Sequence, residues 1–350
     1  MSKEREITPG QRTRLERRNL EIEEVWLAGN RGTCGGVEMT LAVVDRVMEI
    51  VPENVTVYTN NAPVNFPDAF SHFGERLKNV KGDISLVPDD SVFIVSAHGV
   101  PPSTYDDAKK RGIIIIDTTC PIVLDEQQKV RNAAADPNIG HVVFIGKGSH
   151  PETIGVKGQV DERAITVIDP EKEEGDKDYI DIQDVNIPDN SLIIAKTTYA
   201  PSFIEKTIER IKTINPTVDA SRAHSCYAVS HRQFAGRQMI GDVDFWLVVG
   251  DESSHNSGKL RDIGEEHSKP AALITGPEEI DWSWFGEGIR RLGVSSGASV
   301  PERFTQRVLQ PFRDLGIPVI ELPKAVEENY RMFRQPNAQL DALRQRFAVN

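Results

Sequence analysis

The chain has 350 residues, of which 39% are hydrophobic and 27% charged, with 26 glycines and 21 prolines; this excludes disordered and fibrous classes and leaves room for two or three compact units. Its formal net charge of −12 excludes the broad basic field that attracts nucleic acid or anionic membranes, so neither is expected as a partner. Residues 1–20 surround no apolar stretch, and no later run approaches the roughly eighteen apolar residues of a membrane span, so a cytoplasmic location is expected.

Residues 1–20 are expected to form a flexible arm. Beyond them, apolar β-branched runs alternate with stretches of helical period, the pattern of a parallel α/β protein. The predicted order is strand 25–29, helix 37–50, strands 55–59, 91–97 and 112–117, helix 121–135, strands 141–146, 164–169 and 191–196, helices 201–214 and 228–240, and strands 244–250, 271–275 and 291–297. The acidic stretch 171–184 reads as a solvated loop. Residues 323–350 form a tail that either packs as a terminal helix or frays.

Three cysteines, Cys34, Cys120 and Cys226, are present, an odd number that cannot all pair within one chain. Each follows a strand-like run or short polar link, occupies a tight turn and precedes a predicted helix: WLAGNRGTCGGVEMTLAVVD, IIIIDTTCPIVLDEQQKV and VDASRAHSCYAVSHRQFA. The recurrence divides the chain into three similar α/β units, 21–119, 120–225 and 226–322, with the tail 323–350 outside them. A single buried cysteine is ordinarily a small hydrophobe; three in one repeated context ask for another explanation. A helix N-terminus favours the thiolate, and three thiolates without close Cys pairs do not fit a closed structural zinc site. They fit a 4Fe-4S cluster held by three cysteines, whose open iron can act as a Lewis acid and pass electrons to a bound oxygen.

In open parallel sheets ligands bind at the carboxyl ends of the strands, and further polar residues stand there. They are His98 in SAHGVPP, His150 and Glu152 in GKGSHPETIG, Thr197 and Thr198 in KTTYAPS, Ser254, His255 and Asn256 in GDESSHNSGKL, and Ser299 in SSGASVPE. Singly, such a residue is a helix cap or a solvated turn. Together they form a receptor for a phosphate or diphosphate. Glu152, the one carboxylate among them, suits a proton donor.

Over residues 22–320 the motifs NRGTCGGV, SAHGVPP, DTTCPIV, GSHPETIG, KTTYAPS, SCYAVSHRQ, SSHNSGKL and GASVPE, in that order, resemble those of the 4-hydroxy-3-methylbut-2-enyl diphosphate reductase family of the non-mevalonate isoprenoid pathway. The resemblance implies a trefoil of three similar α/β units with mostly parallel sheets around a central iron-sulfur site. It implies one 4Fe-4S cluster on Cys34, Cys120 and Cys226, and an allylic diphosphate substrate whose hydroxyl meets the open iron. The diphosphate is then expected among His98, His150, Ser254, Asn256 and Ser299, with Asn65, Thr198 and His255 also lining the substrate. Glu152, assisted by Thr197, relays the proton that releases the hydroxyl as water, and ferredoxin or flavodoxin supplies the two electrons.

Two positions depart from that pattern. The segment YTNNAPVNF offers Asn65 where the family places its first diphosphate-binding histidine, and His255 stands where the family has a second serine. An amide donates to phosphate without becoming cationic, whereas an imidazole can carry a charge. Either the two changes compensate each other, or they mark a paralogous 4Fe-4S protein that reduces or binds another small anionic ligand. A third reading is a non-catalytic cluster-binding sensor, against which Glu152 and the paired threonines count.

Overall fold

The structure, a computed structural model, describes residues 20–172, 176, 181–199, 201–252, 254–329 and 333–348. In chain order its strands are β1 (Glu24–Leu27), β2 (Val57–Thr59), β3 (Leu77–Asn79), β4 (Val92–Val95), β5 (Ile114–Asp117), β6 (Val142–Ile145), β7 (Ile165–Ile168), β8 (Leu192–Ala195), β9 (Phe245–Val249), β10 (Ala271–Ile274), β11 (Arg291–Ser296) and β12 (Val319–Glu321). Its α-helices are α1 (Gly35–Ile50), α2 (Pro102–Lys110), α3 (Pro121–Ala135), α4 (Pro151–Lys157), α5 (Pro201–Ile214), α6 (Tyr227–Met239), α7 (His255–Glu266), α8 (Glu302–Asp314) and α9 (Asn337–Phe347). Every predicted strand overlaps an observed one, and α3 and α5 begin and end where expected. The strands that periodicity did not reveal, β3 and β12, are short and lie at sheet edges with little buried surface.

The chain folds as two compact units, one built from the described residues up to Cys34 with Tyr227–Asn329, the other from Gly35–Cys226 with the C-terminal segment. Two of the changeovers thus fall at cysteines, Cys34 and Cys226. The first unit holds one parallel sheet of order β10-β9-β11-β1-β12. Here the structure departs from the boundary expected at residue 21: β1 pairs not with strands of 21–119 but between β11 and β12, with Val25 opposite both Leu292 and Val319. Its Val25 and Leu27 are buried, so the strand gains from a partner on either side; periodicity marks such a strand without naming its neighbours.

The second unit holds two parallel sheets, β3-β2-β4-β5 and β7-β6-β8. Strands β4, β6 and β8 are buried along their whole length, as expected when helices cover both faces. On β6 and β8, Val143, Ile145, Ile193 and Ala195 pack with Ile204 and Ile211 of α5, while Val142, Phe144, Leu192 and Ile194 face Val130 of α3 and Val156 of α4. Each valine, leucine, isoleucine or phenylalanine among them contributes about 1.5–3 kcal/mol when fully buried. The tail packs rather than frays: α9 buries Leu340 and Leu343 against α1 and β5, and Gln339 Oε1 accepts from the Asp117 N–H at 2.7 Å. The arm over 1–20 lies, except for Leu20, outside the described residues, as does much of the acidic stretch 171–184. The rest of that stretch includes a 3-10 turn, Ile182–Asp184, capped by Asp181.

Candidate functional site

All strands within each sheet run parallel, so the carboxyl ends collect along one edge of each sheet, where chemistry is expected. The three cysteines stand at such ends, each half-buried, and each is anchored in the same way. The Cys34 N–H donates to Ala298 O at 3.1 Å, Cys120 N–H to Ala97 O at 3.0 Å, and Cys226 N–H to Thr197 O at 2.8 Å. Every thiol turn is therefore bonded to the turn that carries Ser299, His98 or Thr197. Among the described residues no three His, Cys, Asp or Glu side chains are grouped to hold a single metal ion; a polynuclear cluster spreads its ligands more widely than one ion does.

Gly36, near the start of α1, leaves room for the Cys120 thiol: a Cβ there would lie 2.9 Å from Cys120 Sγ. Ala in place of a helical Gly ordinarily stabilises by about 1 kcal/mol. Gly36→Ala is expected to do the opposite and to lower iron incorporation severalfold, because Cys120 must give way; wild-type iron content per chain in the variant would refute the crowding.

In the second unit the strand-end turns bring His98, His150, Glu152 and Thr197 together. His98 follows β4 in a turn closed by Gly99 at φ +74°, and its ring stands edge-on to that of His150 with centroids 5.3 Å apart. His150 caps α4, its Nδ1 accepting from the Glu152 N–H at 3.2 Å. Glu152 is buried; its Oε1 accepts from the Thr197 N–H at 2.8 Å and its Oε2 from the Thr197 hydroxyl at 3.1 Å. Burial raises the carboxyl above its usual range, against the pull of the buried Lys196 ammonium and the Thr197 bonds. The Thr198 hydroxyl, beside them in the chain, is buried and makes no hydrogen bond among the described residues. Asn65 is half-buried, in a segment tied to the His98 turn by the Ala97 N–H donating to Pro63 O at 3.3 Å.

Burial, helped by Lys196, pushes the His98 imidazole down from 6.5 to about 4. Between those values the unfolded chain binds a proton that the folded chain refuses. The contribution to stability is thus whole above about pH 6.5 and is lost as the pH falls toward 4, a swing of about 3 kcal/mol. His98→Gln is expected to flatten that acid loss, read from urea midpoints at pH 7 and 4.5; identical losses in variant and wild type would sink the assignment.

In the first unit Ser254 caps α7, its Oγ accepting from the Ser257 N–H at 3.4 Å. Asn256 is buried, and neither its amide oxygen nor its nitrogen is bonded among the described residues; the same holds for the hydroxyls of Ser257, Ser295 and Ser296. A buried polar group left unbonded costs about 1–3 kcal/mol, so a cluster of them marks a place for a polar ligand or ordered water. His255 and Ser299 are half-buried beside it in the chain. Sequence reasoning did not single out Ser257, Ser295 or Ser296, since the latter two close an apolar strand. It also missed Glu126 and Gln127 on α3, both buried.

The LytB protein family matches residues 25–313. The chain is similar to the 4-hydroxy-3-methylbut-2-enyl diphosphate reductase of Acinetobacter baylyi, with 32% identity over 305 residues, covering 87% of this chain and 93% of that protein. It is likewise similar to the enzyme of that name from Pseudomonas fluorescens Pf0-1, with 32% identity over 310 residues, covering 87% of this chain and 95% of that one. Its fold is that of the E-1-hydroxy-2-methyl-but-2-enyl-4-diphosphate reductase from Plasmodium falciparum, with a TM-score of 0.81 and 24% identity over 93% of this chain and 99% of the other.

Proposed function

The chain belongs to the LytB protein family, and from that premise we propose that it reduces 4-hydroxy-3-methylbut-2-enyl diphosphate, removing the hydroxyl as water to give isopentenyl and dimethylallyl diphosphate. The observation that carries this reading is Glu152: a carboxyl raised by burial and held at both oxygens by Thr197, whose carbonyl in turn anchors the Cys226 turn. A carboxyl so placed binds a proton more readily than an exposed one and presents it in a fixed orientation.

Cys34, Cys120 and Cys226 would hold one 4Fe-4S cluster; their half-buried thiols in backbone-anchored turns, and the cradle that Gly36 leaves for Cys120, suit that donor set. When bound, the cluster supplies two electrons in sequence and Lewis acidity at an open iron. The protein's own groups do the rest. Ser254, Asn256 and Ser299, with His98 and His150, donate hydrogen bonds to the diphosphate, while Asn65, Thr198 and His255 line the remainder of the substrate. His98, held neutral by burial, acts there as a hydrogen-bond donor before it acts as a charge. Glu152 delivers the proton to the departing hydroxyl, and Thr197 fixes its direction.

Ferredoxin or flavodoxin is the expected electron donor, and the cytoplasm the expected compartment. No helix among the described residues is long and apolar enough to cross a membrane. Anaerobic incubation of the reconstituted protein with the substrate and a strong one-electron donor tests the reading: both isomeric products are expected, and intact substrate with a fully loaded cluster would overturn it.

A further inference from the structure

Helix α3 begins at Cys120 and, in its second turn, carries a carboxyl into the protein interior. Glu126 is 6% exposed and Glu152 1%; their helices, α3 and α4, pack against each other, and the two carboxyls are close enough that each acts on the other's protonation. Two neighbouring carboxyls in the interior repel each other when both are ionised, which favours a single proton held between them. The two bonds that Glu152 accepts from Thr197 favour its ionised form, which places the shared proton on Glu126. Its second oxygen, Oε2, is buried and makes no hydrogen bond among the described residues. Next to it, the Gln127 amide fits where a Cβ on Gly99 or Gly155 would come within 2.8 or 3.2 Å of its nitrogen, so this face of α3 lies against the His98 turn and helix α4.

We propose that Glu126 is a positioning residue for the reduction, forming with Glu152 a carboxyl dyad that stores the proton Glu152 delivers. This rests on the function proposed above. The step balances in protons: Glu126 passes its proton to Glu152, Glu152 gives one to the hydroxyl that leaves as water, and the dyad regains one from solvent. The charged groups that face the pair are Lys196 toward Glu152, Asp125 and Lys129 on α3 toward Glu126, and His98, which shares the Lys196 field. Burial and the neighbouring Glu152 charge hold the Glu126 carboxyl well above its ordinary range, which favours a proton retained on the dyad.

The test compares wild-type and Glu126→Gln holoenzyme. The amide keeps the donor to Glu152 but cannot hand over a proton. The alkaline limb of kcat is expected to move down by about one pH unit or more, so that the variant is roughly tenfold slower at pH 8 and within about threefold at pH 6, with KM and iron content unchanged. Superimposable pH profiles would overturn the proposal, because a merely structural glutamate shifts no limb. Infrared spectroscopy reads the dyad without turnover: a carbonyl stretch of a protonated buried carboxyl should persist at pH 8 in the wild type and vanish in Glu126→Gln. Its absence from the wild type would overturn the dyad even if that variant failed to fold. If the wild-type enzyme left the substrate intact while the band was present, the proposed function would fail and the dyad would stand.

Discussion

Glu152→Gln is expected to leave the protein folded and loaded with iron yet to slow turnover by about a hundredfold or more, the scale of a lost general acid. The substitution isolates the proton from the shape. Glutamine has the same length, its carbonyl can still accept from the Thr197 N–H, and its amide can turn toward the Thr197 hydroxyl, so the two bonds that fix the side chain have replacements. The ionisable proton has none. The loss is therefore expected in kcat, with little change in KM, and to persist at every pH, unlike the pH-dependent deficit of Glu126→Gln. The double variant should cost little more than Glu152→Gln alone, since residues that act as one device are not additive. A Glu152→Gln enzyme with wild-type kcat would remove the carboxyl from the mechanism.

Arg232→Met is expected to destabilise the protein by about 3–5 kcal/mol, because it takes one member out of a buried charge arrangement. The guanidinium, fully buried on α6, donates to Gly32 O at 2.8 Å and Thr33 O at 3.0 Å, and to Ala228 O at 3.0 Å on its own helix. Its Nη1 also meets the buried Glu328 carboxylate at 3.0 Å. Methionine fills much of the volume but satisfies none of these acceptors, and Glu328 loses the guanidinium while keeping its contact with His231 at 3.1 Å. The carbonyls of residues 32 and 33 lead directly into Cys34, so iron content should fall with stability. Arg232→Lys should be intermediate, since an ammonium keeps the charge and loses the planar fork. Denaturant unfolding decides: a shift under about 1 kcal/mol for the methionine variant would mean the carbonyls find water instead.

Much of this was legible because the strands are buried on both faces and so read as uninterrupted apolar runs; β6, β8 and β9 are examples. The strand-end positions of the site residues follow from that reading. What escaped it has physical reasons. β3 and β12 bury too little to leave a pattern, and the placement of β1 between β11 and β12 is a long-range pairing on which local periodicity is silent. Glu126 escaped because a helical glutamate normally faces water. A signal was nonetheless present: Val123, Glu126, Gln127 and Val130 are all buried and fall at the i, i+3, i+4, i+7 spacing of one helix face. Two polar residues set into an apolar stripe are a reason to look for partners. Asn256 was recognised, but the orphaned hydroxyls of Ser295 and Ser296 were hidden inside a strand.

The hydrogen bond from each cysteine N–H ends on a loop backbone carbonyl, an acceptor that every residue type possesses. Swapping the side chains of those loops therefore leaves the sulfurs where they were. A change of residue such as Asn65 or His255 can therefore be taken up without disturbing the backbone that holds the three thiols.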